Sequence, residues 1–293
     1  MKQLAHRVLF ALCLPLTATA VTPTLASHTQ LTIAFDLGGV LLETNEQTFA
    51  QELGEADLAT YHQQTGKGRV QLWHLLYKVL KRMGYDNEAT AGASDPAGNR
   101  TPGLACAWML GTRSCRELQQ LINPVIEEHP EWFCSNLEQT LFYRFVNLLF
   151  TPAWFARIQE LQPGAYQLVR WCKKRGHRVV VLSNWCRESF GCMLEQHRVF
   201  FDLFDEVIVS GRVGMMKPDP KIFHYLTRYV PAASCIFIDN QQENIDAARK
   251  LGIHAIFCPA YGAFPDLATV AKELRELEAS LMQQTGDTKV AAV

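Results

Sequence analysis

The chain has 293 residues, 48% of them hydrophobic and 19% charged, with a formal net charge of -1. That length allows one large or two modest globular domains. Near-neutrality excludes the basic surface that nucleic acid requires, and no heptads, low-complexity tracts or internal repeats stand out.

The first residues differ from the rest. Lys2 and Arg7 precede an apolar run, Val8 to Ala20, that ends in Ala18-Thr19-Ala20, with a second small-residue site at Leu25-Ala26. This order predicts a secretory signal peptide over 1–26 and hence a periplasmic or secreted protein. The alternative is a cytoplasmic protein with an N-terminal extension. The run is too short for a stable membrane span. Without Lys2 and Arg7, 26 basic residues face 29 acidic ones, a mature net charge of -3. Beyond Cys13 the chain carries Cys106, Cys115, Cys134, Cys172, Cys186, Cys192, Cys235 and Cys258. None forms a C-x-x-C or a zinc spacing. Cys172, Cys235 and Cys258 sit inside apolar patterns, so mostly free, buried thiols are expected. Cys106 and Cys115 are the pair to examine first for a disulfide.

Leu31 to Phe35 is apolar without alternation, as in a parallel strand covered on both faces. It ends at Asp36, followed by Leu37-Gly38-Gly39-Val40-Leu41-Leu42. A carboxylate at a strand's carboxyl end, beside glycines that permit close approach, is a candidate nucleophile or metal ligand; the alternative is a turn cap. Glu43 to Ala59 is polar and predicts the start of a helix. Val70, Trp73, Leu76, Tyr77, Leu80 and Met83 recur at helical spacing, closed by Gly84. Tyr85 to Gly103 reads as a loop holding an Asn99-Arg100-Thr101 sequon. Leu104 to Ile122 predicts one or two short helices broken before Asn123-Pro124. Ser135 and Glu138 form a capping box ahead of Leu137 to Phe150. Thr151-Pro152 opens a helix through Leu161. Residues from about 45 to 160 are therefore nearly all helical. Their aromatic stripe, Trp73, Tyr77, Phe142, Phe145 and Trp154, is expected to be the core of this unit.

From Pro163 the pattern alternates. A helix closed by Gly176 leads to a buried strand, His177 to Leu182, ending at Ser183-Asn184. A helix from Ser189 to His197 precedes a strand, Asp205 to Val209, and a loop carrying Lys217. A helix over Lys221 to Tyr229 precedes a strand, Cys235 to Ile238, ending at Asp239-Asn240. A helix over Asn244 to Leu251 is closed by Gly252. A strand at His254 to Phe257 and an amphipathic helix from Asp266 to Met282 follow. Such alternation predicts an α/β fold: a Rossmann-like, doubly wound parallel sheet with right-handed crossovers. The helical stretch is too long for a loop and is expected to be a second domain.

Asp36, Ser183, Lys217 and Asp239 each follow a different strand, so one sheet edge collects them. Two carboxylates, a hydroxyl and a lysine suit phosphoryl transfer. A carboxylate nucleophile forms an aspartyl-phosphate, a hydroxyl and an ammonium hold phosphoryl oxygens, and a second carboxylate holds Mg²⁺. Each also has a structural alternative: Ser183 and Asp239 as helix caps, Lys217 as a solvated loop residue.

Four stretches in order carry a family resemblance. They are Phe35-Asp36-Leu37-Gly38-Gly39-Val40, Leu182-Ser183-Asn184, Lys217-Pro218-Asp219-Pro220, and Phe237-Ile238-Asp239-Asn240 with Glu243-Asn244-Ile245. Together they resemble the haloacid dehalogenase-like (HAD) hydrolase superfamily, subfamily I, over roughly residues 31 to 260. The resemblance implies a core over 31–44 and 161–284, a C1-type helical cap over 45–160 and a flexible tail over 285–293. It makes Asp36 the nucleophile, Ser183 a phosphate-binding residue and Lys217 the group that steadies both. Asp36, the Gly38 carbonyl, Asp239 and Asn240 would ligate Mg²⁺. Ser183, Asn184, Lys217 and Trp185 would meet the substrate, Trp185 either stacking on a sugar ring or packing in the core.

Two positions depart from the family's phosphatase pattern. Gly38 stands where an acid–base Asp is usual, and that proton transfer typically contributes about 10²–10⁴-fold. Slow turnover or activated leaving groups are therefore expected. Asn240 stands where a second metal-site Asp is common, so weaker Mg²⁺ binding is expected, with Glu243 a possible substitute. The expected function is a Mg²⁺-dependent phosphatase of a small phosphorylated metabolite, with Glu43, Trp185 and the cap face choosing the substrate. The alternatives are a metal-independent haloacid dehalogenase-type hydrolase and a catalytically weakened HAD-fold binding protein.

Overall fold

The computed structural model describes residues 30–84, 103–258 and 267–290. The expected signal peptide, the Asn99 sequon and the last residues of the tail lie outside them. Among the described residues a five-stranded parallel sheet is ordered β5 (Glu206–Val209), β4 (Arg178–Ser183), β1 (Thr32–Phe35), β6 (Cys235–Asp239), β7 (His254–Phe257). The chain winds outward from β1 to β4 and β5, then crosses back to β6 and β7, which is the doubly wound α/β arrangement. Phe35 lies level with Val181 and Ile238. The residues just beyond β1, β4 and β6 therefore open on one edge.

Both faces of the sheet are covered. Ile33, Phe35, Val179 and Val181 pack with Leu168, Val169, Phe190, Met193 and Leu274 from the helices Ala165–Lys174, Arg187–Gln196 and Leu267–Val290. Ala34, Val180, Leu182 and Phe237 pack with Ile222, Phe223, Ile245 and Ala248 from Pro220–Leu226 and Gln242–Lys250. Two-sided burial is why these strands are continuous apolar runs. The last helix is tied down by Glu278, buried against His177 Nε2 and Arg175 Nε at 2.8 Å each.

Two further strands, β2 (Leu42–Thr44) and β3 (Gln159–Leu161), pair antiparallel. They replace the helix expected to start at Glu43 and the end of the helix expected to run to Leu161. Main-chain bonds Asn45 N–H to Ile158 O (2.7 Å) and Gln162 N–H to Leu41 O (2.9 Å) extend the ribbon. Asn45 also accepts the Thr48 N–H, starting the helix Glu46–Leu53 at the ribbon's end. Between the two strands lie the helices Glu46–Leu53, Glu55–Thr65, Arg69–Arg82, Gly103–Met109, Cys115–Glu128, Asn136–Leu149 and Pro152–Arg157. The helix Cys115–Glu128 runs through Asn123-Pro124, against the expected break. A reciprocal Ser114–Glu117 capping box starts it, and Leu118, Ile122 and Ile126 anchor it. Pro124 and Gln120, whose carbonyl loses its usual donor, are both exposed, so the lost bond lies on the helix's solvent side.

Phe142 and Phe145 are buried in the insertion, and Trp73 meets Phe145 edge-on at 5.3 Å. Trp154 is not part of that core. It is 45% exposed, because its short helix buries the adjacent Phe155 and Ala156 instead. The expected capping box at Ser135 is half made. Ser135 Oγ accepts the Glu138 N–H, but the Glu138 carboxylate turns inward. There it accepts the Cys134 N–H at 2.8 Å, the Tyr61 hydroxyl at 2.6 Å and Lys67 Nζ at 3.2 Å.

Burial pushes the Glu138 carboxyl up, but those donors outweigh it and hold the group at about 2. A folded value below the unfolded one near 4.3 adds stability above that pH and loses it as pH falls toward 2. Urea unfolding should therefore show Glu138→Ala destabilised by roughly 3 kcal/mol at pH 7. Between pH 5 and pH 3, stability should fall less steeply in Glu138→Gln than in the wild type. Parallel pH profiles for the two proteins would remove Glu138 from this role.

Candidate active site

The edge where β1, β4 and β6 end is organised by one buried ammonium. Lys217 is 1% exposed, and its Nζ lies 2.9 Å from Asp36 Oδ1 and 2.6 Å from Asp239 Oδ2. The ammonium also stands 5.3 Å from the centre of the Phe237 ring. Burial pulls the Lys217 value down, but Asp239 and then Asp36 more than reverse it, so the lysine stays charged. Burial pushes the Asp239 carboxyl up and Lys217 opposes it, while the negative charge of Asp36 adds to the upward push. Neither carboxylate is stable here without the lysine, nor the lysine without them.

Each member is held by local geometry. Asp36 continues the β1–β6 ladder through its N–H to Ile238 O at 2.9 Å. The chain then turns sharply: the N–H groups of Val40, Leu41 and Leu42 all bond Leu37 O, and Gly39 takes the left-handed φ of 72° that this turn needs. Asp239 Oδ1 accepts the Gln241 N–H at 2.7 Å, and Asn244 Nδ2 reaches both Asp239 oxygens at 3.1 Å. Ser183, 1% exposed, closes β4 in register with Val209.

Asn184 and Trp185, expected at the substrate, are held by contacts within the protein. The Asn184 amide is committed to the Lys217 main chain, donating to its carbonyl and accepting its N–H, both at 2.8 Å. It positions the loop that carries the lysine. Trp185 is 9% exposed; its indole N–H donates to Ser189 Oγ at 3.0 Å and its ring packs on Phe155 at 5.6 Å. These contacts are the core packing expected as one of its two roles. Its Cζ3 also lies 3.4 Å from where a Cβ on Gly38 would sit. A Cβ at position 38 would thus rest in van der Waals contact with the indole beside the nucleophile.

The site residues fit a divalent cation. Asp36, Asp239 and Asn240 offer oxygen donors only, the set that Mg²⁺ prefers. Asn240 Oδ1 is buried with no hydrogen-bond partner among the described residues. Two carboxylates and one ammonium leave the centre one negative charge, which a dication would invert in favour of an anionic substrate. Glu243 is exposed on the helix that follows. Glu43 pairs with Arg69 at 3.5 Å.

Three contributors were not foreseen. Asn244, inside the fourth motif, supports Asp239: a helix starting directly after the strand returns its first turn to the strand end. Ser210 Oγ donates to Met109 O at 2.6 Å and accepts the Trp185 N–H at 3.0 Å, joining the helical insertion to the core. The cysteine beside Cys115 is Cys186, at 3.8 Å between sulfurs, and not Cys106, which packs on Met216. The eight cysteines of the described residues are free.

Comparison with known proteins accords with this geometry. The chain is 35% identical over 103 residues to haloacid dehalogenase-like hydrolase domain-containing protein 3 of Bos taurus, covering 33% of this chain and 39% of that one. It is 31% identical over 121 residues to a sesquiterpene phosphatase of Aspergillus oryzae, covering 40% and 58%. With phosphatase MT3486 of Mycobacterium tuberculosis it shares 30% over 121 residues, covering 41% and 55%. The matches thus span less than two-thirds of these relatives' lengths. A HAD family enzyme of Bacteroides thetaiotaomicron, bt-2542, shares the fold at a TM-score of 0.50 and 16% identity, over 82% of this chain and 98% of that one. The profile described as haloacid dehalogenase-like hydrolase matches residues 31–252, and the chain belongs to that family.

Proposed function

We propose that the protein is a Mg²⁺-dependent phosphatase of a small phosphorylated metabolite, acting through an aspartyl-phosphate on Asp36. The observation that carries this is the Asp36–Lys217–Asp239 arrangement at the edge of the sheet. Relatives named as phosphatases support it. Asp36, the Gly38 carbonyl, Asp239 and Asn240 would hold the cation, which supplies charge neutralisation for the phosphoryl oxygens when bound.

The remaining chemistry belongs to the chain. Lys217, 2.9 Å from Asp36 Oδ1, orients that carboxylate toward phosphorus. The new bond forms between an Asp36 oxygen and phosphorus as the bond to the leaving oxygen breaks. The Ser183 hydroxyl, at the end of β4, is placed to donate to a phosphoryl oxygen. Water then attacks the acyl-phosphate, releasing phosphate and restoring Asp36. No carboxyl at position 38 protonates the leaving group. Substrates whose leaving oxygen is weakly basic are therefore favoured. The helical insertion, joined to the core through Ser210 and Met109, acts as a cap that limits substrate size and excludes water.

A metal-free dehalogenase is a second reading, favoured by Gly38 standing where a phosphatase's acid–base Asp is usual, and opposed by the second carboxylate, Asp239. Halide release from 2-haloacids, unaffected by EDTA, would establish it in place of the phosphatase.

Hydrolysis of p-nitrophenyl phosphate should require Mg²⁺ and fall by roughly 10³-fold or more in Asp36→Asn. Equal rates for the two proteins would exclude Asp36 as the nucleophile. Across a series of aryl and alkyl phosphates, kcat should drop steeply as the leaving alcohol becomes more basic. A flat series would show that another group supplies the proton. Asn184→Ala should lower kcat through a displaced Lys217 while leaving the Mg²⁺ requirement intact.

A further inference from the structure

We propose that Cys115 and Cys186 form a redox-active dithiol that a hydroperoxide converts into a disulfide, bonding the helical insertion to the core beside the active site. The two sulfurs are 3.8 Å apart, although the residues are 71 positions apart in sequence. They belong to different parts of the fold. Cys115 opens the insertion helix Cys115–Glu128, and Cys186 follows Ser183-Asn184-Trp185 on the core.

Their setting separates them from the other buried thiols. Cys186 Sγ lies at the N-terminus of the helix Arg187–Gln196, 2.8 Å from Ser189 Oγ and 3.4 Å from the Ser189 N–H. The hydrogen bond from Cys115 holds the Cys186 thiol below the ordinary range against the opposing effect of burial, and Ser189 adds to this. Burial, with the Glu278 charge adding to it, pushes Cys172 up to about 12, and burial against the opposing Arg178 pushes Cys235 up to about 11. The Cys115 main chain is fixed by its N–H to Glu188 Oε2 at 2.6 Å, and its sulfur accepts the Trp108 indole N–H at 3.3 Å. A cavity of about 280 Å³ reaches Cys186, with Trp108, Arg113, Ser114 and Arg187 also on its walls and exposed Thr112 and Glu117 at its rim. It admits a molecule the size of a peroxide.

The chemistry balances. The Cys186 thiolate attacks one peroxide oxygen, the O–O bond breaks, and the departing hydroxide or alkoxide takes a proton, leaving Cys186 as a sulfenic acid. Cys115 sulfur then displaces that hydroxyl, which leaves as water with the Cys115 proton. Two electrons pass from the sulfurs to the peroxide. The product tethers the insertion to the loop after Ser183. If the insertion must part from the core to exchange substrate and product, the tether stops turnover. That last consequence rests on the phosphatase reading; the crosslink does not.

The test is peptide mapping of the wild-type chain, reduced, desalted and exposed to hydrogen peroxide. A Cys115–Cys186 peptide pair is expected, with a mass loss of about 2 Da, the two thiol hydrogens. Cys115→Ser should instead trap Cys186 as a dimedone-labelled sulfenic acid, and Cys106→Ser should still crosslink. Absence of the pair, or a Cys106–Cys115 pair in its place, would overturn the proposal. In the same samples, p-nitrophenyl phosphate turnover should fall on the order of tenfold on oxidation and return with dithiothreitol. Unchanged turnover in crosslinked protein would overturn the gating while leaving the dithiol standing. Absence of turnover in the reduced protein would overturn the phosphatase reading alone.

Discussion

A lysine ammonium held almost wholly out of water is the constraint on which the rest of the site depends. Lys217 is stable there because two carboxylates face it, and the carboxylates are tolerable because Lys217 faces them. The three charges come from three separate segments, so their distances fix the relative heights of β1, β6 and the loop after β5. The surrounding polar groups serve that arrangement. Asn184 clamps the lysine's main chain, while Asn244 and the Gln241 N–H hold the Asp239 carboxylate in place. Removing the lysine would leave two buried anions side by side.

Gly38 and Trp185 belong together. A side chain at position 38 would begin in contact with the indole, and the indole is fixed by Ser189 and Phe155. The loop carrying Trp185 also carries Ser183 and Cys186 and is bonded to the insertion through Ser210 and Glu188.

The parallel strands were legible because each is a short apolar run bounded by glycine or a polar cluster. The polar residues ending them were legible because a doubly wound sheet gathers strand ends on one edge. What escaped reading depends on contacts between distant residues. The strands Leu42–Thr44 and Gln159–Leu161 are too short to show a period and exist only because they pair with each other across the insertion. Pro124 was read as a breaker because its solvent-facing position is invisible locally. Asn184 was read as a substrate contact, but its partner, Lys217, lies 33 positions away. The dithiol escaped for the same reason: Cys106 is nearer to Cys115 in sequence, Cys186 in space.

The account turns on Asp36 being the nucleophile, positioned by Lys217 to accept a phosphoryl group. Beryllofluoride, which mimics that group on a carboxylate, tests this directly. Calorimetric titration should show it binding the wild-type protein in millimolar Mg²⁺, with binding lost when Mg²⁺ is withheld or Asp36 is replaced by Asn. Equal binding to Asp36→Asn, or no binding at all in Mg²⁺, would contradict the account.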